Sequence, residues 1–304
     1  MCCLFGLVDP NHVLTGQQKT KLIHQLATAA EARGTDASGV AYHVGEQLVI
    51  RKAPVAGHKL KFYIPDSTTT VMGHTRMATQ GSAKKNKNNH PFVGQLGLSR
   101  FALAHNGVLY NDMDLRRELC LPKPKVETDS YIAVQLLMKQ EALNFSSLRF
   151  MAEKVEGSFT FTVLDEQDSL YIVKGDSPLY LLKFPAYGLY LYASTEQILH
   201  QALSNLHLSV KSAVVVKIQS GEIVRVDSSG ELSRATFDDR KLYCWYSPYT
   251  FRYSPFVRKK DKTYVDELKS VAGAFGYTPE SIDRLISMGY MPEEIEEYLY
   301  CQEI

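Results

Sequence analysis

With 304 residues, 34 Lys and Arg against 33 Asp and Glu, and a net charge of +1, the chain gives no electrostatic reason to expect nucleic acid or an anionic membrane as partner. Its 45% hydrophobic content suits a globular core, no apolar run reaches the length of a membrane span, and the opening residues lack the basic start and long apolar stretch of a signal peptide. These features predict a cytoplasmic protein with one large domain and a small appendage.

The chain opens MCCLFG (1–6), a cysteine directly behind the initiator methionine and then a strand. Removal of Met1 would leave Cys2 with a thiol and an α-amine on one residue. An ordinary thiol titrates near pH 8.5 and needs a base, whereas an α-amine titrates near 7.7 to 8.0 and would already stand beside the sulfur. The plain alternative is that Cys2 and Cys3 are two small residues at the start of a buried strand. The other cysteines are Cys120, Cys244 and Cys301; five in all, without metal-type pairing, argue against a disulfide framework or a zinc site and for reduced thiols. No metal and no cofactor is expected.

Residues 15–34 read as the first helix, with Thr15 as cap, Leu22, Ile23, Leu26, Ala29 and Ala30 on one face, and Gly34 as a left-handed stop. Strand-like runs follow: 38–44 and 47–53 around a Gly45-Glu46 turn, then TVMGHTR, RFALAHNG, SFTFTVLD, SLYIVKG, GLYLYAS, SAVVVKI and GEIVRVD. Residues 128–143 read as a largely buried helix and 194–203 as a shorter one. Hairpins rather than regular strand-helix alternation predict an α+β fold with antiparallel sheets covered by helices.

Residues 245–262, WYSPYTFRYSPFVRKKDK, read as an aromatic and basic linker or strap over the core. Beyond it, GYTPESI (276–282) returns as GYMPEEI (289–295), each a glycine stop, an early proline and a new helix. Nine acidic residues stand against Lys269 and Arg284 over 264–304, which reads as a solvated face or a docking module. The predicted organisation is therefore 2–235, a linker over 236–262 and a small helical module over 263–304.

Four segments can carry chemistry, each with a bland alternative. In GHTRMATQG (73–81), Arg76 can pair in bidentate fashion with a small carboxylate or make a surface salt bridge. In AHNG (104–107), the Asn106 amide and the Gly107 N–H can face one oxyanion, or form an Asn-Gly turn at a strand end. In ETDSY (127–131), Asp129 can bind a ligand ammonium or, with Thr128, cap the following helix. In RGTDASGVA (33–41), Arg33 can complement a helix C-terminus or brace the amino-terminal strand.

Together and in this order the segments resemble the class II glutamine amidotransferases, which are N-terminal-nucleophile hydrolases, and most nearly the glutaminase domain of glucosamine-phosphate synthase. MCCLFG is similar to the family's MCGI-type start, RGTDASG to RGYDSAG, GHTRMATQG to HTRWATHG, AHNG to HNG and ETDSY to ETDTE; NNHPF (88–92), GDSPLYL (175–181) and ASTEQIL (193–199) sit in matching order. The resemblance covers roughly residues 2–225. It implies a four-layer αββα sandwich of two antiparallel sheets. It further implies Cys2 as nucleophile with its own amine as base, and Asn106 and Gly107 as the oxyanion hole. Arg76, Thr79 and Gln80 would hold the carboxylate of L-glutamine, Asp129 with Gly107 its ammonium, and Arg33 would brace the site from behind.

Three positions depart from the family pattern: Cys3 stands for glycine, Met77 for the tryptophan of the loop that covers glutamine, and Gln80 for histidine. Lys84, Lys85 and Lys87 make the same loop basic, for solvation or for an acidic partner. The implied function is release of ammonia from L-glutamine through a Cys2 thioester. The implied partner is a separate ammonia-accepting synthase or ligase, since an ammonia-consuming site does not fit in residues 236–304. The alternatives are a stand-alone hydrolase of another γ-glutamyl amide and a catalytically dead glutamine-binding module.

Overall fold

The computed structural model describes residues 2–204, 212–242 and 276–288, together with 265, 268, 269, 272, 273, 295 and 299. The expected linker over 245–262 and the second copy of the tail repeat, apart from Ile295, lie outside the described residues. Met1–Tyr246 and Ser247–Ile304 form separate compact units.

The first unit stacks two antiparallel sheets between helices. In the seven-stranded sheet β1 (Cys3–Val8) is central, with β10 (Leu189–Ala193), β9 (Tyr180–Phe184) and β11 (Val214–Val215) on one side and β4 (Thr70–Arg76), β2 (Ala37–Val44) and β3 (Gln47–Ala53) on the other. The six-stranded sheet runs from β13 (Leu232–Thr236) through β12 (Glu222–Val226), β8 (Leu170–Lys174) and β7 (Gly157–Leu164) to β6 (Ser99–Leu109) and β5 (Phe92–Leu96).

Every residue of β1 is buried because the strand is covered on both faces. Phe5 and Leu7 meet Leu22, Ile23 and Leu26 of α1 (Gly16–Ala29) and Ile198 and Leu199 of α5 (Glu196–Leu203). Leu4 and Val8 point the other way and join Met72, Tyr192, Ala104, Ile172 and Val224 between the sheets. A third apolar layer packs α2 (Asp112–Glu118), α3 (Tyr131–Met138) and α4 (Phe145–Lys154) on the far face of the six-stranded sheet, through Leu115, Ile132, Leu136, Leu148, Phe161 and Val173. The result is the expected αββα order.

Two helix boundaries differ from the sequence reading. Thr15 caps α1 in a reciprocal box with Gln18, but α1 stops at Ala29 and tightens into a 3-10 turn over Ala30–Ala32. Gly34 is not a left-handed stop; a Cβ there would lie 2.5 Å from the Arg76 carbonyl carbon, so its value is that the Arg76 backbone can pass. The helix expected over 128–143 is confined to α3, and Asn144, which accepts the N–H groups of Ser146 and Ser147, starts α4. No helix among the described residues is long and apolar enough to cross a membrane.

In the second unit, Thr278 accepts the Ser281 N–H ahead of the Pro279–Ser287 helix, Gly276 has φ +81°, and Leu268, Ala272, Ile282, Ile295 and Leu299 form a small apolar cluster. Lys269 pairs there with Asp283 at 2.6 Å.

Candidate active site

Register alone brings the first two site residues together. Cys3 pairs with Thr75 across β1 and β4, so Cys2 stands beside Arg76 at the end of both strands. The second sheet is joined to this corner by one bond: His74 of β4 donates from Nε2 to the His105 carbonyl of β6 at 3.0 Å. The next two residues of β6 are Asn106 and Gly107, opposite Thr160 and Phe159 of β7. Cys2, Arg76, Met77, Thr79, Gln80, His90, His105, Gly107, Thr128, Asp129 and Ser130 line one narrow cleft.

Cys2 is partly exposed, and its Sγ donates to the Met77 carbonyl at 3.5 Å. Burial pushes its thiol up, against the pull of the Met77 hydrogen bond and the nearby Arg76 charge. A thiol so placed is protonated at neutral pH and needs a base. Arg33 does not line the cleft; its Nε donates to the Cys2 carbonyl at 3.0 Å and so braces the first strand rather than a helix end.

Arg76 is 3% exposed, which rules out the surface salt bridge. Its Nη1 donates to Asn89 Oδ1 at 2.8 Å, and its Nη2 donates to the carbonyls of Gln80 at 2.5 Å and Gly81 at 2.8 Å. Asn89 is itself tied to the Ala83 carbonyl, and Asp36 accepts the Ala78 N–H at 2.8 Å. The loop after β4 is thus folded around its own arginine.

Asn106 and Gly107 do not form a turn at a strand end, since β6 continues to Leu109 and stays paired with β7. The Asn106 side chain is buried, and its Nδ2 has no hydrogen-bond partner among the described residues. Gly107 has φ +135°, and a Cβ there would sit 2.0 Å from the Ser158 carbonyl oxygen, so only glycine fits. Asn106 itself is not in the cleft wall, whereas Gly107 is.

Asp129 does not cap α3. Its Oδ2 accepts the Leu109 N–H of β6 at 2.7 Å, and Ser130, at the N-cap position, sends its hydroxyl to His105 Nδ1 at 2.8 Å instead of to the helix. Burial raises the Asp129 carboxyl against these bonds. A cation beside it would restore the charged form.

His90, His105, Thr128 and Ser130 were not among the sequence candidates, although NNHPF, AHNG and ETDSY contain all four. Burial lowers His74 to about 3 and His105 to about 4, and puts His90 well below the ordinary histidine value, so all three are neutral. The basic loop also has an internal explanation. Lys85 and Lys87 lie 2.8 and 3.3 Å from Glu127, which Asn88 Nδ2 also reaches, and these bonds hold the Glu127 carboxyl down at about 2.

The glutamine amidotransferase domain family matches residues 74–201. Glutamine--fructose-6-phosphate aminotransferase (isomerizing) of Streptococcus pyogenes serotype M6 is 29% identical over 289 residues, 90% of this chain and 46% of that protein. The enzyme of the same name from Streptococcus agalactiae serotype V is 31% identical over 240 residues, 75% of this chain and 38% of that protein. The chain thus spans less than half the length of these relatives. Among solved structures, the allosteric regulatory enzyme of purine biosynthesis superposes with a TM-score of 0.63 at 17% identity, covering 78% of this chain and 49% of the other. Glutamine phosphoribosylpyrophosphate amidotransferase of B. subtilis gives 0.57 at 19% identity, covering 78% and 49%. These two likenesses bear on the fold. On these matches the chain carries a glutamine amidotransferase domain, matched over residues 74–201, and its αββα sandwich is the fold it shares with the two solved structures.

Proposed function

We propose that this chain hydrolyses the side-chain amide of L-glutamine, with Cys2 as nucleophile in the form whose α-amine is free. What carries the reading is a single cleft lined by a thiol, a guanidinium, a buried carboxylate and a glycine that only backbone can occupy, next to an amide N–H₂ without a partner. Arg76, with Thr79 and Gln80, takes the substrate carboxylate, and Asp129 takes the ammonium, each burying its charge against an opposite one.

The Cys2 sulfur attacks the amide carbon and the α-amine accepts the thiol proton. The tetrahedral oxyanion is held by Asn106 Nδ2 and the Gly107 N–H. The C–N bond breaks as the protonated amine returns its proton to the departing nitrogen, giving ammonia and a γ-glutamyl thioester. Water, deprotonated by the same amine, cleaves the thioester to glutamate and regenerates the thiol. Arg33, bonded to the Cys2 carbonyl, keeps the nucleophile facing the cleft. The consumer of the ammonia is a synthase or ligase domain or partner chain, in line with the aminotransferase names of the relatives.

The test is glutamate and ammonia release from L-glutamine by the methionine-processed protein beside Cys2→Ala. Release by the parent and none by the variant is expected. Equal release from both would overturn the assignment of the nucleophile.

A further inference from the structure

Two side chains of the cleft wall carry buried polar atoms that the chemistry above does not use. His90 and Thr128 are each 3% exposed, and His90 Nδ1, His90 Nε2 and Thr128 Oγ1 have no hydrogen-bond partner among the described residues. A buried polar atom left without a partner is costly, and native proteins keep few of them.

The His90 ring is also held in place. It lies between the rings of His74 and Phe92, with centroids 4.3 and 4.2 Å away. The backbone on both sides is gripped by one ammonium: Lys52 Nζ donates to the Asn89 carbonyl at 2.5 Å and to the Pro91 carbonyl at 3.0 Å. A neutral imidazole so fixed offers one N–H donor and one acceptor.

Arg76 supplies the need for that donor. A guanidinium has five N–H groups, and three of them are taken by Asn89, Gln80 and Gly81, whereas an ionised carboxylate accepts at about four sites. The arginine cannot saturate a substrate carboxylate without giving up bonds to its own loop.

We infer that His90 and Thr128 are substrate-binding residues, supplying an imidazole N–H and a hydroxyl to the α-carboxylate alongside the two N–H groups that Arg76 has left and the side chains of Thr79 and Gln80. This rests on the glutaminase reading and extends it, by assigning recognition of the amino-acid head to the NNHPF and ETDSY segments as well as to the loop after β4.

Glutamine kinetics of the full chain with His90→Phe test it. The phenyl ring keeps the tilted ring contacts with His74 and Phe92 and removes both nitrogens. KM is expected to rise about tenfold or more, as loss of a hydrogen bond to a charged group does, with kcat within about threefold. Thr128→Val, which keeps the side-chain volume, should raise KM several-fold and covers the case in which His90→Phe folds poorly. Unchanged KM in both variants, or a fall in kcat alone, would overturn the inference while leaving the glutaminase reading standing. Nitrogen-15 resonances of His90 should move when L-glutamate is added to the parent protein. This readout holds even if the parent releases no ammonia, the result that would overturn the glutaminase reading; resonances that stay put would overturn the inference.

Discussion

The two sheets contribute to the cleft in opposite ways. On the seven-stranded side, Arg76 is engaged three times over by its own chain and stands in a mesh that includes Asn89, Gln80 and Gly81. On the six-stranded side, Asn106 is equally buried, yet its amide nitrogen meets no acceptor among the described residues. One side is held by bonds that already exist; the other has a buried donor that the proposed mechanism assigns to the oxyanion. A preorganised donor of this kind stabilises the transition state without reorganising when the charge forms.

The contrast can be broken by exchanging one side chain on each wall. Asn106→Ala removes an amide nitrogen that bonds nothing among the described residues, so turnover of glutamine should fall about a hundred-fold to a thousand-fold while Tm stays near that of the parent. Steady-state kinetics with a thermal melt would decide it, and a variant that melts early would move Asn106 into the structural wall. Asn89→Ala should do the reverse. It leaves Arg76 Nη1 buried and without its acceptor, a loss of about 1–3 kcal/mol that calorimetry or denaturant titration should register. Stability equal to the parent would mean that the loop repacks around the arginine and that the mesh is not what holds it.

The smallest effect sharpens the contrast through pH. His105 and His74 titrate near 4 and 3 in the folded protein and near 6.5 in an unfolded chain. Between those values the unfolded state binds more protons, so their contribution is complete above about pH 6.5 and is lost as pH falls toward 4 and then 3. Each histidine steepens the decline by up to about 1.4 kcal/mol per pH unit. His105→Phe, which keeps a ring against Phe161, should flatten Tm between pH 6 and 4.5 relative to the parent. Parallel curves would contradict the buried neutral state.

Much of this was legible along the chain. The strand after Cys2, the Thr15 cap and the hairpin at Gly45 follow from period and local chemistry, which act within a few residues. Motif order pointed to Cys2, Arg76, Gly107 and Asp129, and the same cleft wall holds all four. The reading of Asp129 as a helix cap failed because its carboxylate turns to the Leu109 N–H, twenty residues back in sequence and on another element. Asn106-Gly107 was ambiguous for a similar reason: a turn and a mid-strand glycine have the same sequence, and only pairing with β7 separates them.

Sequence by itself determined which segments form strands and hairpins, the cap of the first helix and which reactive groups the chain owns, because those depend on neighbours in sequence. The tertiary structure decided which groups share a cleft, which are neutral and which donors remain unspent. Those depend on desolvation and on partners such as His74 with His105, Arg76 with Asn89 and Lys52 with the carbonyls flanking His90, pairs 13 to 39 residues apart. Burial and hydrogen-bond saturation are properties of the packed chain, and no local pattern encodes them.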